Sequence, residues 1–84
     1  MNWEKEASAL LVGRKIVKVE WMSSEDANQC DWYSRPPCIL LDNGVWIYPM
    51  ADDEGNNGGA FGTSMDSMSV IPVFQTQDIH YDQV

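Results

Sequence analysis

From Pro36 to Val84 the chain has no lysine and no arginine, although that stretch carries seven acids. The five basic side chains, Lys5, Arg14, Lys15, Lys18 and Arg35, all lie in the first 35 residues, against six acids there, and the formal net charge is −8. A nucleic-acid binder needs cationic side chains that neutralise phosphates and release counterions. This field has the opposite sign, so direct DNA or RNA binding is not expected, and an anionic membrane surface is disfavoured for the same reason. A basic protein partner or a cation fits the charge, and solubility is its plainest role. Metal-ligating residues are scarce as well. There is one histidine, His80, and the two cysteines, Cys30 and Cys38, form a C-x7-C pair. That spacing is not the close pairing of zinc ligands, so neither a metal nor a cofactor is expected. Both thiols read as reduced and buried. No apolar run approaches the roughly 18 residues of a membrane span. The opening MNWEKEASALLVG lacks the basic start and apolar block of a secretory leader, so the expected compartment is the cytoplasm.

What the chain does contain is enough for one small folded domain. Hydrophobic residues make up 44% of its 84 residues, with four Trp, three Tyr and two Phe. Each buried aromatic removes about 150–250 Å² from water, so a few suffice for a core of this size. Asn2 is a good N-cap for WEKEASALL, in which Trp3, Ala7, Leu10 and Leu11 recur at helical spacing and Gly13 suits the position past the end. A helix is therefore expected over residues 3–11. RKIVKVEWM alternates, with Val17, Val19 and Trp21 facing one way and Lys18 and Glu20 the other. Ser23 or Ser24 is placed to cap one helical turn. CDWYSRPPC reads as a loop held extended by its proline pair. VIPVF is expected to be an edge or bulged strand because Pro72 cannot donate to a ladder. Residues 75–84 read as a flexible polar tail.

CILLDNGVWIYP is the strongest local pattern. Asn43-Gly44 between apolar runs predicts a two-residue type I′ turn. That register pairs Leu41 with Trp46 and Leu40 with Ile47. It puts Ile39, Leu41, Trp46 and Tyr48 on one face and Cys38, Leu40, Val45 and Ile47 on the other. Both faces are apolar, so the hairpin needs cover on both sides, from the core and from the N-terminal helix, a second subunit or a ligand.

The stretch DDEGNNGGAFG, residues 52–62, is the obvious candidate for chemistry. Read as an EF-hand loop from Asp52, it supplies oxygens at the first three ligand positions. It then has Asn57 where glycine is required and Thr63 where a bidentate glutamate is required. It has no lysine for a phosphate loop, and its acids repel phosphate. Consecutive carboxylates do not face each other across a substrate, and neither cysteine has a basic neighbour except Arg35, so no catalytic residue is expected. An ordered acidic loop folded against its own domain is the favoured reading, with Arg35 either its internal partner or a ligand contact. Trp32, Tyr33, Arg35, Asp52, Asp53 and Glu54 are the candidate binding residues. An Arg beside aromatics clamps planar or anionic groups.

GRKIVKV, WYSRPP, LDNG, IYP and DDEGNNGGAFG, in that order, together resemble a family of small acidic bacterial proteins of the kind found in cyanobacteria. The resemblance implies a cytoplasmic bacterial protein and no activity. The expected fold is mainly β within the α+β class: a small twisted antiparallel sheet, or a partly open SH3-like barrel, of four or five strands with one N-terminal helix. The expected function is non-enzymatic protein–protein binding, in a regulatory or adaptor role, by a homodimer. Two alternatives are a phage-type inhibitor of a bacterial defence system that mimics nucleic acid, and a small-ligand or cation-binding domain that uses the 52–62 loop.

Overall fold

The computed structural model describes residues 2–76. Helix α1 spans Trp3–Leu11, strand β1 Ile16–Trp21 and helix α2 Ser24–Gln29. Strands β2 (Ser34–Arg35), β3 (Pro37–Leu41), β4 (Trp46–Ile47), β5 (Phe61–Met65), β6 (Met68–Ile71) and β7 (Phe74–Gln75) follow. The local signals act where expected. The Asn2 side chain accepts the Lys5 N–H at 3.1 Å, the Ser23 hydroxyl accepts the Asp26 N–H at 3.1 Å, and Gly13 takes the left-handed conformation just past α1.

The fold is mainly β with an N-terminal helix, but among the described residues its strands form three small antiparallel sheets, β1-β3-β4, β2-β7 and β5-β6, which do not close into a barrel. Pro72 is the reason for one division. It interrupts the predicted VIPVF strand, so that β6 pairs with β5 while β7 crosses to β2. The segment after the acidic loop is not irregular. Phe61–Ile71 is a hairpin whose Met65 and Met68 face each other across a two-residue turn. Gln75 pairs with Ser34, and the Thr76 N–H donates to the Tyr33 carbonyl at 2.9 Å, so the expected tail begins later than residue 75. The rest of that tail, with His80 and the strand considered around Ile79 and Tyr81, lies outside the described residues.

The β3–β4 hairpin forms with a register one residue away from the expected one. Ile39 faces Ile47 and Leu40 faces Trp46. The Leu41 N–H donates to Val45 O at 2.9 Å and the Gly44 N–H to Leu41 O at 3.0 Å. A type I′ turn needs positive φ at both central residues, and only Gly44 has it, with φ 84°. The turn is therefore a three-residue loop, Asp42-Asn43-Gly44, with the glycine in the left-handed position. The slip regroups the side chains. Leu40 and Trp46 now share one face, while Ile39 and Ile47 share the other. In β1 a bulge between Ile16 and Lys18 interrupts the alternation at Val17. Beyond it, Val19 faces Ile39 and Glu20 faces Cys38.

The core does not lie under the hairpin alone. Its buried apolar side chains are Ala27, Trp32, Cys38 and Leu41, with Pro36 and Pro37 fully enclosed. It is centred on α2, the proline pair and β3. Helix α1 buries none of its residues, so it is not the cover expected for the hairpin, and Trp3 is 74% exposed.

Candidate functional site

The acidic loop is ordered by hydrogen bonds from the WYS segment, and a neutral residue makes the main connection. The Asn57 Oδ1 accepts the N–H groups of Tyr33 and Ser34, each at 3.0 Å, and its neighbour Gly58 N–H at 2.9 Å. Trp32, buried as a core residue, donates its indole N–H to Gly55 O at 2.7 Å. A bridge between Met50 and Gly58, with the Ala51 N–H on Asn57 O and the Gly59 N–H on Pro49 O, closes the base of the loop. The loop thus folds against its own domain through backbone groups and one amide, and the carboxylates take no part in that docking. Asp52, Asp53 and Glu54 are exposed.

Arg35 does not pair with those acids. Among the described residues no acid lies within ion-pair distance of it. Its Nε donates to Met22 O at 2.7 Å, and its guanidinium sits 5.9 Å from the Phe74 ring centre. The expected Arg35–carboxylate pairing is corrected accordingly. β2 runs antiparallel to β7 and holds Arg35 opposite Phe74. Phe74 in turn stacks on Trp21 with ring centres 4.7 Å apart, and the Trp21 indole N–H donates to Pro72 O at 2.9 Å. Arg35 therefore fastens the residue just past β1 to β2 and β7. Arg35→Ala is expected to lower stability by about 2 kcal/mol in urea unfolding, from a lost charge-assisted hydrogen bond and a lost cation–π contact. Arg35→Lys should recover little of it, because the ammonium cannot donate through Nε while lying over the ring.

Of the other predicted residues, Tyr33 is 78% exposed. Asp52 is occupied locally. The Asn56 side-chain amide donates to its Oδ2 at 2.8 Å and the Asn56 backbone N–H to its Oδ1 at 3.1 Å. These bonds, the side-chain one first, hold Asp52 below the usual carboxylate range. Because the folded-state value is lowered, this stabilising contact is complete above the ordinary aspartate value and is lost as pH falls through the lowered one. In a carboxyl-carbon NMR titration Asp52 should titrate below an ordinary aspartate, and Asn56→Ala should move it back up. Among the described residues, no three His, Cys, Asp or Glu side chains come together as a metal-binding set.

Cys30 and Cys38 are unbonded. Cys38 is buried as expected, whereas Cys30 is exposed at the end of α2. Burial, followed by the charge of Glu20, pushes the Cys38 thiol up, and its sulfur lies 3.6 Å from Pro36 O. A nucleophilic thiolate is favoured by the opposite surroundings.

A concavity lies elsewhere, between β1, α2 and the end of β4. It is a half-open groove of about 470 Å³, lined by Glu20, Trp21, Asp26, Cys38, Trp46 and Tyr48 among others. Tyr48 is backed by Trp32, the ring centres being 6.1 Å apart. No protein-family model, curated protein or solved structure matches this chain. The site is therefore defined by its own geometry. Sequence reasoning singled out Trp32 as a candidate binding residue, not as the residue that holds the loop through Gly55, and it found neither Asn57 nor the groove. Asn57 carries one weak signal, an asparagine next to a glycine pair. The groove carries none, because it joins residues from Glu20 to Tyr48 that only the sheet brings together.

Proposed function

We propose that this protein is a non-enzymatic protein-binding module that acts as a homodimer, its subunits meeting through α1 and the outer edge of β1. The observation that supports this reading is the uncovered apolar surface of the N-terminal segment. α1 is amphipathic and buries nothing, and Leu11, Val12, Ile16, Val17 and Val19 are all exposed, Val19 by 54%. An isolated helix of nine residues is marginal in water, and contiguous exposed apolar surface marks an interaction face. β1 is also an edge strand, with unpaired backbone groups that a second strand can use.

Charge points to a second copy as the partner. Two β1 strands paired antiparallel about Val19 bring Val19 against its own counterpart, Lys18 against the other chain's Glu20, and Glu20 against the other chain's Lys18. A two-fold interface requires this self-complementarity, and opposite charges across an antiparallel pair are favourable. The reading includes a cytoplasmic setting, supported by the unbonded cysteines, and kinship with the small acidic bacterial proteins the sequence resembles. The nucleic-acid mimic has less support, because the acids are spread over α1, β1, α2, the hairpin turn and the loop rather than gathered on one element.

Sedimentation at tens of micromolar should show a dimer. Val19→Lys should give a folded monomer. Lys18→Glu should weaken the dimer, and Lys18→Glu with Glu20→Lys should restore it, since the exchange keeps opposite charges face to face. A monomeric wild-type chain at these concentrations would overturn the reading.

A further inference from the structure

We propose that the groove between β1, α2 and the end of β4 is a binding site for an alkylammonium group. Its volume of about 470 Å³ falls within the range of small-ligand sites. Trp46 and Tyr48 line it and are 40% and 42% exposed, so part of each ring is open to a guest. Aromatic faces carry negative potential and attract cations, Trp most strongly. Glu20 and Asp26, two acids, also line the groove. Both also act on the Cys38 thiol in the groove, so their negative field reaches its interior. Among the described residues no lysine or arginine lines the groove itself, so its lining charge favours a cation over an anion.

The mixture of walls selects the kind of cation. Calcium and magnesium seek about six or more oxygen ligands, and this groove offers aromatic and sulfur surface beside only two carboxylates. A cation with an apolar body matches both parts. The Lys18 ammonium lies 3.5 Å from Glu20, so Glu20 is already shared, whereas no basic side chain is paired with Asp26 among the described residues. Asp26 is thus the principal counter-charge for a guest, and Lys18 is its internal competitor.

The test is a ¹H–¹⁵N NMR titration of the full chain with n-butylammonium, Nα-acetyl-lysine methylamide and neutral n-butanol at constant ionic strength. Both ammonium compounds should shift the Cys38, Trp46 and Tyr48 signals saturably, with Kd of about 1 mM or below. n-Butanol should leave those signals in place. Asp26→Asn, at an exposed position, should weaken binding about tenfold, and Lys18→Gln should tighten it by releasing Glu20. Tighter binding of the free amine assigns the site to a small molecule, and tighter binding of the lysine amide assigns it to a side chain of a protein partner. Equal binding of n-butanol, shifts that do not saturate, or an Asp26→Asn variant that binds like the wild type would each overturn the proposal. The signals followed, those of Cys38, Trp46 and Tyr48, lie outside α1 and β1, and repeating the titration on the Val19→Lys monomer separates groove binding from the dimer contact in which Lys18 and Glu20 also take part.

Discussion

Gly58→Ala should destabilise the protein by about 3 kcal/mol, a loss of roughly 15 °C in Tm for a domain of this size. A Cβ added at Gly58 would lie 2.6 Å from Pro36 Cδ and 2.7 Å from Ser34 O. Neither neighbour has room to yield. Pro36 is fully buried and its ring is rigid. Ser34 belongs to β2, which is paired to β7. The added methyl would have to push the loop away from the proline pair, and the hydrogen bonds of Asn57 would break with it. A chain with so few buried apolar side chains has little reserve against such a loss. Gly62→Ala is the control. A Cβ there meets nothing within 4 Å, and its effect should stay within about 0.5 kcal/mol. Thermal unfolding followed by circular dichroism reads both. If the two variants melt together, the packing of Gly58 against Pro36 is not what holds the loop.

Asn57→Ala should cost about 3 kcal/mol, because it removes the single oxygen that accepts three backbone N–H groups. The Ser34 and Gly58 bonds are partly buried, so water replaces them poorly. The Tyr33 bond is exposed, and water makes good part of that one. Asn57→Asp keeps the acceptor and should lose less than half as much, since a carboxylate receives the same three donors. It forfeits only the 3.4 Å contact from the Asn57 amide to the Ser34 hydroxyl. Urea unfolding of the two variants separates the roles. Equal losses would show that side-chain shape, rather than the acceptor, matters at this position. Amide exchange at Tyr33 and Ser34 should quicken in Asn57→Ala and much less in Asn57→Asp.

These two positions show why the sequence reading gave Arg35 the wrong partner while placing the loop against its own domain. Its charges drew attention to Asp52, Asp53 and Glu54, and to Arg35 as the nearest cation in an otherwise acidic region. The loop's attachment uses backbone groups and a neutral amide instead. An exposed ion pair contributes about 0–1 kcal/mol, less than three satisfied N–H groups at a partly buried junction. Arg35 found a carbonyl and a ring in place of a carboxylate because β7, arriving from beyond Pro72, placed Phe74 opposite it.

The elements governed by near neighbours were legible from residue order. α1 begins at the Asn2 cap and ends before Gly13, α2 begins at the Ser23 cap, and Pro72 stops a strand. Each depends on groups within about one helical turn, where capping and propensity operate. The β3–β4 hairpin marks the edge of that range. Its existence was written in Asn43-Gly44, but its register depended on whether Asn43 adopted positive φ, and that choice regrouped every side chain of the pair. Beyond that lie contacts that no local pattern encodes. The Trp32 indole reaches Gly55, 23 positions away, and the Trp21 indole reaches Pro72, 51 positions away. An indole N–H takes whichever acceptor the chain brings within reach, and folding in three dimensions determines which that is. The same physics separates composition from exposure. The apolar residues of α1 and β1 are plain in the sequence, but their lack of cover follows from the core forming around Trp32, Pro36 and Pro37 instead.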